Sequence, residues 1–301
     1  MKLCLGTVQF GTRYGIQNAD QPSLDDCMKM LDYALHNGVD YLDTAAAYGT
    51  AELVVGELFR RRVVRREEVC ICSKLSLDIS SGLSVSEIRH LIEHQLKTSL
   101  ERLGTDYLDA CLFHQAKLAF HPAAQEALAT FREGGLVRRC GVSVYAPEEA
   151  QACLESEWVD MMQVPASIFD QRMLKEGVLD TAVRRSNFDI HSRSAFVQGL
   201  IMMRSENVPE TLAQGAAREA VRRLDELCLS HGISKMKLAI QYVKHLHSIS
   251  HLVFGVDNLT QLREYIKAFH EEWSSDILED IAQEFRELEP KVYMPSQWKS
   301  E

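Results

Sequence analysis

Four side chains that can exchange or orient a proton stand at or just beyond successive apolar runs: Asp43, Tyr48, Lys74 and His114. A tyrosine phenol has an ordinary pKa of about 10, which is too high for easy proton exchange at neutral pH. A neighbouring Lys74 ammonium would favour the phenolate and lower that pKa, and Asp43 would keep the lysine in place and charged. His114 could donate a hydrogen bond to a substrate oxygen. These residue types predict proton donation to a carbonyl oxygen, coupled to the arrival of hydride at the carbonyl carbon.

Other chemistries have weaker support in the sequence. No serine or cysteine nucleophile stands beside a base. Cys70 and Cys72 would share one strand face but lack a second pair of ligands, and His245, His247 and His251 occur without the HExxH pattern. The 8 cysteines are scattered, mostly through apolar runs, which indicates reduced, buried thiols rather than a disulfide framework. We therefore expect no metal site.

The positioning elements follow from an alternation of short apolar runs with amphipathic stretches. Most runs lack polar alternation, which is typical of parallel strands buried on both faces. The stretches have helical spacing, and Gly38 and Gly104 supply stop signals after two of them. The runs predict strands at 3–5, 41–43, 69–74, 107–114, 137–143, 161–165, 188–194 and 252–254, and the stretches predict helices at about 24–37, 84–103, 122–133, 147–156, 172–185, 211–231, 234–247, 259–269 and 275–288.

Eight strand–helix units without a Pro-, Gly- or Ser-rich linker predict a single-domain (β/α)8 TIM barrel over residues 1–301. A doubly wound parallel sheet is the alternative. That fold requires a glycine-rich phosphate-binding motif after an early strand, and the segment from Gly6 to Gly11 lacks the third glycine. A barrel builds its site at the C-terminal ends of its strands, which is where the four side chains above stand.

The composition is that of an ordinary soluble globular protein. The 301 residues are 46% hydrophobic and 25% charged, and the formal net charge is −10. This acidic surplus argues against a nucleic-acid partner, because phosphate binding needs a basic face. No stretch approaches the roughly 18 apolar residues that a membrane span needs. We expect a cytoplasmic protein that acts on a small molecule without nucleic-acid or membrane partners, and no feature indicates its oligomeric state.

Four short motifs follow one another in register: Asp43-Thr44-Ala45-x-x-Tyr48-Gly49, Ser73-Lys74-Leu75, Leu112-Phe113-His114 and Gln198-Gly199-Leu200. Together they resemble the motifs of the aldo-keto reductases, and the resemblance extends in order and spacing over nearly the whole chain. It implies a nicotinamide-dependent carbonyl reductase with a TIM barrel and a catalytic tetrad of Asp43, Tyr48, Lys74 and His114. Many members plug the barrel bottom with an N-terminal β-hairpin, which we do not expect here because the first strand starts at Leu3.

The resemblance also implies where the cofactor binds, with three departures. Val144 replaces the family's usual Asn, and Arg193 replaces a stacking Tyr, although a guanidinium can also stack on a ring. Where members often hold a ribose 2′-phosphate, this chain has Asp257, which would repel it. NADPH and NADH therefore both stay open. The implied positions are Thr7, Asp43, Ser143 and Gln163 at the nicotinamide, Arg193, Ser194, Phe196 and Gln198 at the pyrophosphate, and Gly255, Asn258 and Gln261 at the adenosine end.

From these residues we expect an NAD(P)H-dependent oxidoreductase that reduces an aldehyde or ketone, sugar-like carbonyls included, to an alcohol. Tyr48 is the expected proton donor, and the partner is the small carbonyl substrate. One alternative is a sugar or polyol dehydrogenase that uses the same site in the oxidative direction. Another is a catalytically slow nicotinamide-binding sensor or partner subunit, against which the complete tetrad argues.

Overall fold

The computed structural model describes residues 1–77 and 83–298, and its centre is a closed barrel of eight parallel strands. Each strand pairs with the next along the chain, and the eighth pairs with the first. The predicted (β/α)8 barrel is thereby confirmed. The strands are Lys2–Gly6 (β1), Tyr41–Asp43 (β2), Cys70–Leu75 (β3), Leu108–Phe113 (β4), Val137–Ser143 (β5), Met161–Pro165 (β6), Asp189–Arg193 (β7) and His251–Gly255 (β8).

Helices surround the barrel and cover the outer faces of its strands. Every residue of β4 and β6 is buried, as expected for strands that contact side chains on both faces. The helices are Leu24–His36 (α1), Ala51–Arg60 (α2), Val85–Leu103 (α3), Ala116–Ala119 (α4), Pro122–Glu133 (α5), Pro147–Glu155 (α6), Arg172–Lys175 (α7), Val178–Val183 (α8), Ala216–His231 (α9), Lys235–Lys244 (α10), Leu259–His270 (α11), Ser275–Gln283 (α12) and Pro290–Tyr293 (α13).

Capping residues set both ends of α3. The Ser84 side chain accepts a hydrogen bond from the Glu87 backbone N–H, and the Glu87 carboxylate accepts one in return from the Ser84 N–H. Gly104 ends the helix in the left-handed conformation, with φ of 66°. The predicted helix at 172–185 instead forms two short helices, because Gly177 adopts φ of 67° between them.

The sequence prediction omitted α2, which lies between β2 and β3. Thr50 at its start makes no side-chain cap, and Gly56 in its interior resembles a helix breaker. The glycine has a packing role instead, since a Cβ there would lie 2.4 Å from the carbonyl oxygen of Arg102 at the end of α3. Gly56 therefore allows α2 and α3 to approach closely.

Three aromatic rings fill the barrel interior near the N-terminal ends of the strands. The ring centroid of His191 lies 4.9 Å from that of Tyr41 and 4.2 Å from that of His251. Since β2 and β7 are not neighbours in the barrel, the contact of Tyr41 with His191 crosses its interior. Within residues 1–77 and 83–298 no β-hairpin covers this end, in agreement with the expectation from Leu3.

Three further observations concern membrane spans, thiols and metal ions. No helix in the described part of the chain is long and apolar enough to cross a membrane. All eight cysteines are free thiols, and seven of them are buried. In the same residues no group of three or more His, Cys, Asp and Glu side chains is arranged to hold a metal ion.

The buried histidines predict a loss of stability in mild acid. Burial, reinforced by His251, holds the pKa of His191 well below its usual range, whereas the unfolded chain binds the proton at about pH 6.5. As the pH falls, the His191 imidazole therefore gains its proton in the unfolded state before it does so in the folded state. We expect the free energy of unfolding to decrease by roughly 2 kcal/mol between pH 7 and pH 5 through His191 alone.

Urea unfolding at the two pH values measures this effect. His191→Phe should remove most of the decrease attributed to that residue. The control is His36→Gln at an exposed position of α1, which should leave the decrease in place. An unchanged pH dependence in His191→Phe would contradict the assignment.

Candidate active site

A buried ion pair at the C-terminal ends of β2 and β3 is the centre of the candidate site. The Lys74 ammonium donates to Asp43 Oδ2 over 2.6 Å and to the Thr44 carbonyl oxygen over 3.0 Å. Its Nζ also lies 3.4 Å from the Tyr48 hydroxyl. Asp43 and Lys74 are 3% and 1% exposed, so both charges depend on these contacts rather than on water. The structure thus brings together three of the four predicted side chains.

Local backbone contacts place Tyr48 beside this pair. The loop after β2 turns back at once, because the Tyr48 N–H donates to the Ala45 carbonyl and the Ala51 N–H donates to the Tyr48 carbonyl. A Cβ at Gly11 would lie 1.8 Å from the Tyr48 carbonyl oxygen, so this glycine lets the loop after β1 pass close to Tyr48. The backbone of Tyr48 is thereby held between the loop after β1 and the start of α2.

Burial opposes Lys74 in setting the pKa of Tyr48. Burial is the largest influence and raises that pKa above its usual value, while the Lys74 ammonium lowers it by less. The net direction is therefore opposite to the lowering expected from the sequence, since sequence alone does not give the degree of burial. Burial would also lower the pKa of Lys74, but Asp43 and Tyr48 raise it above its usual value. At neutral pH Tyr48 retains its proton and Lys74 its charge.

His114 lies on the other side of the phenol, directly after β4. Its ring meets that of Tyr48 edge-on, with centroids 5.7 Å apart and an interplanar angle of 84°. Its backbone N–H donates to the Leu75 carbonyl, which fixes its position relative to β3. Burial first, then the charges of Lys74 and Arg193, lower its pKa to about 4, so the imidazole is neutral at pH 7. Its Nδ1 is buried and finds no hydrogen-bond partner in the described part of the chain.

Polar groups of β1, β5 and β6 complete the floor around Asp43. The Gln163 side-chain amide donates to Asp43 Oδ1, so both carboxylate oxygens have partners. The Thr7 hydroxyl donates to the Asp43 carbonyl oxygen over 3.0 Å. Ser143 is buried and stands opposite Gln163 in the β5–β6 register. These are the residues that the resemblance assigns to the nicotinamide.

One elongated cavity of about 260 Å³ extends from these residues to the start of α11. Two of the predicted site residues do not line it. Lys74 lies beneath Asp43 and Tyr48, and the Asn258 side chain caps α11 by accepting a hydrogen bond from the Gln261 backbone N–H. The predicted residues that line the cavity are Thr7, Asp43, Tyr48, His114, Ser143, Gln163, Arg193, Ser194, Phe196, Gln198, Gly255 and Gln261.

The segment after β7 has a strained backbone along one wall of this cavity. Ser194, Val197 and Gln198 adopt φ of 62°, 49° and 54°, in the left-handed region that L-residues rarely occupy. For the β-branched Val197 this conformation is especially unfavourable. Such strain clusters at ligand-binding segments. The Ile16 backbone N–H donates to the Gln198 carbonyl over 2.9 Å, so this segment meets the loop after β1.

The far end of the cavity carries a carboxylate and aromatic rings. Asp257 is an exposed residue that lines this end, and partial desolvation raises the pKa of its carboxyl group. Its backbone N–H donates to the Gln261 side-chain oxygen over 2.7 Å. The Gln261 amide donates in turn to the Tyr265 hydroxyl, and the Tyr265 ring stacks on Phe196 with centroids 4.8 Å apart. Arg263 points elsewhere, with its guanidinium over the Tyr33 ring.

Several lining residues were outside the sequence prediction. Tyr14, Ile16 and Gln17 come from the loop after β1, which has no recognisable motif. The same loop region supplies Gln9, whose buried side-chain oxygen finds no partner within residues 1–77 and 83–298. Gln9 occupies the space beside Gly255, where a Cβ would lie 2.3 Å from that oxygen. The contact of Gln9 with Gly255, the last residue of β8, joins distant segments of the chain, so no local sequence pattern reveals it.

Fold and site together define a class of protein: a (β/α)8 barrel with an Asp–Lys–Tyr–His group at the strand ends and a long cleft beside it. The model of the Aldo/keto reductase family matches residues 2–284. The chain therefore belongs to the aldo-keto reductase family. This family comprises oxidoreductases that act on carbonyl compounds with NAD(P)H as cofactor.

Similar proteins agree with this assignment. The D-arabinose 1-dehydrogenase of Saccharomyces cerevisiae is 22% identical over 305 residues, which cover 87% of this chain and 90% of that protein. The uncharacterized oxidoreductase YqkF of Bacillus subtilis is 23% identical over 256 residues, 80% of this chain and 81% of that protein.

Solved structures of aldo-keto reductases have the same fold. AKR11C1 from Bacillus halodurans, in its holo form, superposes with a TM-score of 0.74 at 21% identity, covering 98% of this chain and 95% of that one. A thermostable aldo-keto reductase in complex with the inhibitor epalrestat gives a TM-score of 0.68 at 22% identity, covering 93% and 94%.

The buried ion pair predicts strongly coupled effects on stability. Lys74→Met leaves the Asp43 carboxylate buried without its counter-charge, so we expect the free energy of unfolding to fall by roughly 3–5 kcal/mol. Adding Asp43→Asn removes the uncompensated charge and should restore much of that loss. Urea unfolding of the single and double variants measures the coupling.

The exposed pair of Lys29 and Asp26 on α1 provides the control. Lys29→Met should cost less than about 1 kcal/mol, because water solvates both partners. Simple addition of the Lys74→Met and Asp43→Asn losses in the double variant would contradict the account of the buried pair.

Proposed function

We propose that this chain is an NAD(P)H-dependent oxidoreductase that reduces an aldehyde or ketone to an alcohol, with Tyr48 as the proton donor. The observation that carries the proposal is the position of Tyr48. Its hydroxyl lies 3.4 Å from Lys74 Nζ, and its ring meets the His114 ring edge-on in the same cavity. Membership of the family makes a carbonyl compound the expected class of substrate. The residue roles below are our inference from geometry and charge.

Tyr48 transfers its proton from Oη to the carbonyl oxygen of the substrate. The phenolate that forms is stabilised by the Lys74 ammonium, whose own charge is held by Asp43. Because the pKa of Tyr48 is raised, the phenol is protonated and competent as a donor throughout the neutral range. Lys74 thus acts when the proton leaves rather than by ionising the phenol beforehand.

His114 orients the carbonyl group. Its neutral imidazole carries one N–H, which can donate to the carbonyl oxygen and stabilise negative charge that develops there. A charged imidazolium would compete with Tyr48 as the acid, and burial together with Lys74 disfavours that form. We therefore assign proton transfer to Tyr48 and orientation to His114.

The residues present suit a nicotinamide dinucleotide. The cavity is long, passes a strained loop and ends at aromatic rings. Gln9 lines it with a buried side-chain oxygen that has no partner among the residues described by the structure. When bound, the cofactor supplies the hydride. Thr7, Ser143 and Gln163 would hold the carboxamide end of the cofactor. Because the Gln163 side-chain N–H donates to Asp43, the Gln163 side-chain oxygen is left to accept a hydrogen bond from the carboxamide. The segment from Ser194 to Gln198 would hold the pyrophosphate, and Gly255 and Gln261 the adenosine end.

Oxidation of a sugar or polyol is the second candidate, because the same groups catalyse the reverse reaction by microscopic reversibility. The observation that favours it is the similarity to a protein named D-arabinose 1-dehydrogenase. In that direction a Tyr48 phenolate would accept the hydroxyl proton, and the raised pKa of Tyr48 disfavours the phenolate at neutral pH. Reduction is therefore our first proposal.

We further propose NADH as the preferred cofactor. Support comes from the Asp257 carboxylate that lines the end of the cavity, which would repel a 2′-phosphate and can accept a hydrogen bond from a 2′-hydroxyl. Among the described residues that line the cavity, Arg193 and His114 at the opposite end are the basic ones. A 2′-phosphate would thus meet a carboxylate without a compensating cation.

Tyr48→Phe tests the mechanism. It removes the proton donor while keeping the ring, so we expect kcat for carbonyl reduction to fall by about 10²- to 10⁴-fold. NADH binding, measured through the fluorescence of the reduced nicotinamide, should persist. Tyr33→Phe on α1 is the matched control. Full turnover by Tyr48→Phe would rule out Tyr48 as the donor.

Fluorescence titration with both nucleotides tests the cofactor preference. We expect NADH to bind at least about tenfold more tightly than NADPH, and Asp257→Ser to reduce that ratio because the repulsive charge is lost. The exposed Asp276→Asn on α12 serves as the control, with the wild-type ratio expected. Tighter binding of NADPH by the wild-type protein would contradict the proposal.

A further inference from the structure

The cavity contains one cation that the proton-transfer group does not use. Arg193 stands at the end of β7 and lines the same cavity as Tyr48 and His114. We propose that Arg193 binds a carboxylate group of the substrate, so that the protein prefers carbonyl compounds that carry this anionic group. This inference rests on the proposed function, since it names the substrate class of that same site.

The Arg193 side chain extends toward the substrate side of the rim. Its Nη2 donates over 2.8 Å to the carbonyl oxygen of Val144, which follows β5. To reach the Val144 carbonyl oxygen from β7, the side chain passes the end of β6. It therefore points toward β4 and His114, and away from β8 and Asp257. Its positive charge is one of the influences that lower the pKa of His114, after burial and Lys74. The guanidinium is therefore near the reacting carbonyl rather than at the adenosine end.

The guanidinium is held in place but retains free donors. Its central carbon lies 3.9 Å from the centroid of the Tyr145 ring, and Nη1 donates to the Ser194 hydroxyl over 3.3 Å. Among the residues that the structure describes, two of the five arginine N–H groups find partners, and the buried Nε finds none. A fixed guanidinium with unused N–H groups is prepared for a ligand, because binding need not order the side chain first.

No charge within the described part of the chain compensates Arg193. The carboxylate that shares this end of the cavity, Asp43, is already paired with Lys74, and no ion pair joins Arg193 to an acidic residue. The environment near the Tyr48 hydroxyl is therefore positive, although the whole protein has a net charge of −10. An anionic substrate would supply the missing charge.

A carboxylate fits this arrangement best among anions. The guanidinium is planar and presents parallel N–H groups that match the two oxygens of a carboxylate. A substrate held there by its carboxylate, with its carbonyl oxygen between Tyr48 and His114, would be fixed at two points. Two-point attachment restricts the carbonyl to few orientations, which favours reaction.

The alternative role for Arg193 is to stack on the nicotinamide ring. That role acts on the cofactor and so changes the turnover of every substrate by the same factor. Recognition of the substrate carboxylate acts only on anionic substrates. The ratio of kcat/KM for an acid to that for its neutral amide separates the two roles, since any common effect cancels.

The test uses 3- and 4-carboxybenzaldehyde and the corresponding carboxamides as matched pairs. We expect the wild-type protein to prefer at least one acid over its amide by about tenfold or more, and Arg193→Gln to bring that ratio close to one. Arg193→Lys should keep part of the preference. Arg185 provides the control: it also stacks on an aromatic ring and donates to backbone carbonyls, but it lies outside the cavity, so Arg185→Gln should keep the full ratio.

Calorimetric binding of benzoate and benzamide to the NADH-loaded protein separates this inference from the proposed function. Tighter binding of benzoate that is lost in Arg193→Gln supports the carboxylate site even where no aldehyde is reduced, in which case the proposed function alone fails. Reduction of the aldehydes with a wild-type ratio near one, or a ratio that Arg193→Gln leaves unchanged, would overturn the role of Arg193 and leave the proposed function intact.

Discussion

The rest of the site depends on one interaction, the buried ion pair of Lys74 and Asp43. Two opposite charges out of contact with water are stable only when their remaining donors and acceptors find partners. Here they do, because Gln163 donates to the second oxygen of Asp43 and the Thr44 carbonyl accepts from Lys74. Strands from different parts of the chain must therefore close into a barrel before either charge is satisfied. The site and the fold are linked by this requirement.

The ion pair also determines what its neighbours can do. Lys74 keeps its positive charge because Asp43 raises its pKa against the effect of burial. That charge favours a phenolate on Tyr48 once the proton has left. Burial first, then the charges of Lys74 and Arg193, disfavour a charged imidazole on His114. In our proposal Lys74 thus helps to make Tyr48 the proton donor and His114 the neutral hydrogen-bond donor.

The sequence predicted the parts of the site that depend on strand ends and local motifs. Because parallel strands end at one rim, Asp43, Lys74 and His114 were expected to converge, and they do. The alternation of apolar runs with amphipathic stretches predicted the barrel fold. The missed helix α2 contains Gly56, whose packing role against α3 has no local signature. Gln9 and Tyr145 were missed because loops and distant segments bring them to the cavity, and the pKa of Tyr48 was misjudged because burial is a property of the whole fold.

The central claim is that Lys74 acts through Tyr48. A double-mutant cycle of Tyr48→Phe and Lys74→Met, with single-turnover rates of NADH oxidation by one aldehyde, tests it most directly. The account predicts that Lys74→Met slows the wild-type reaction strongly but slows Tyr48→Phe little further, because no phenolate remains to be stabilised. Rate losses that multiply in the double variant would show that the two residues act independently and would contradict the account.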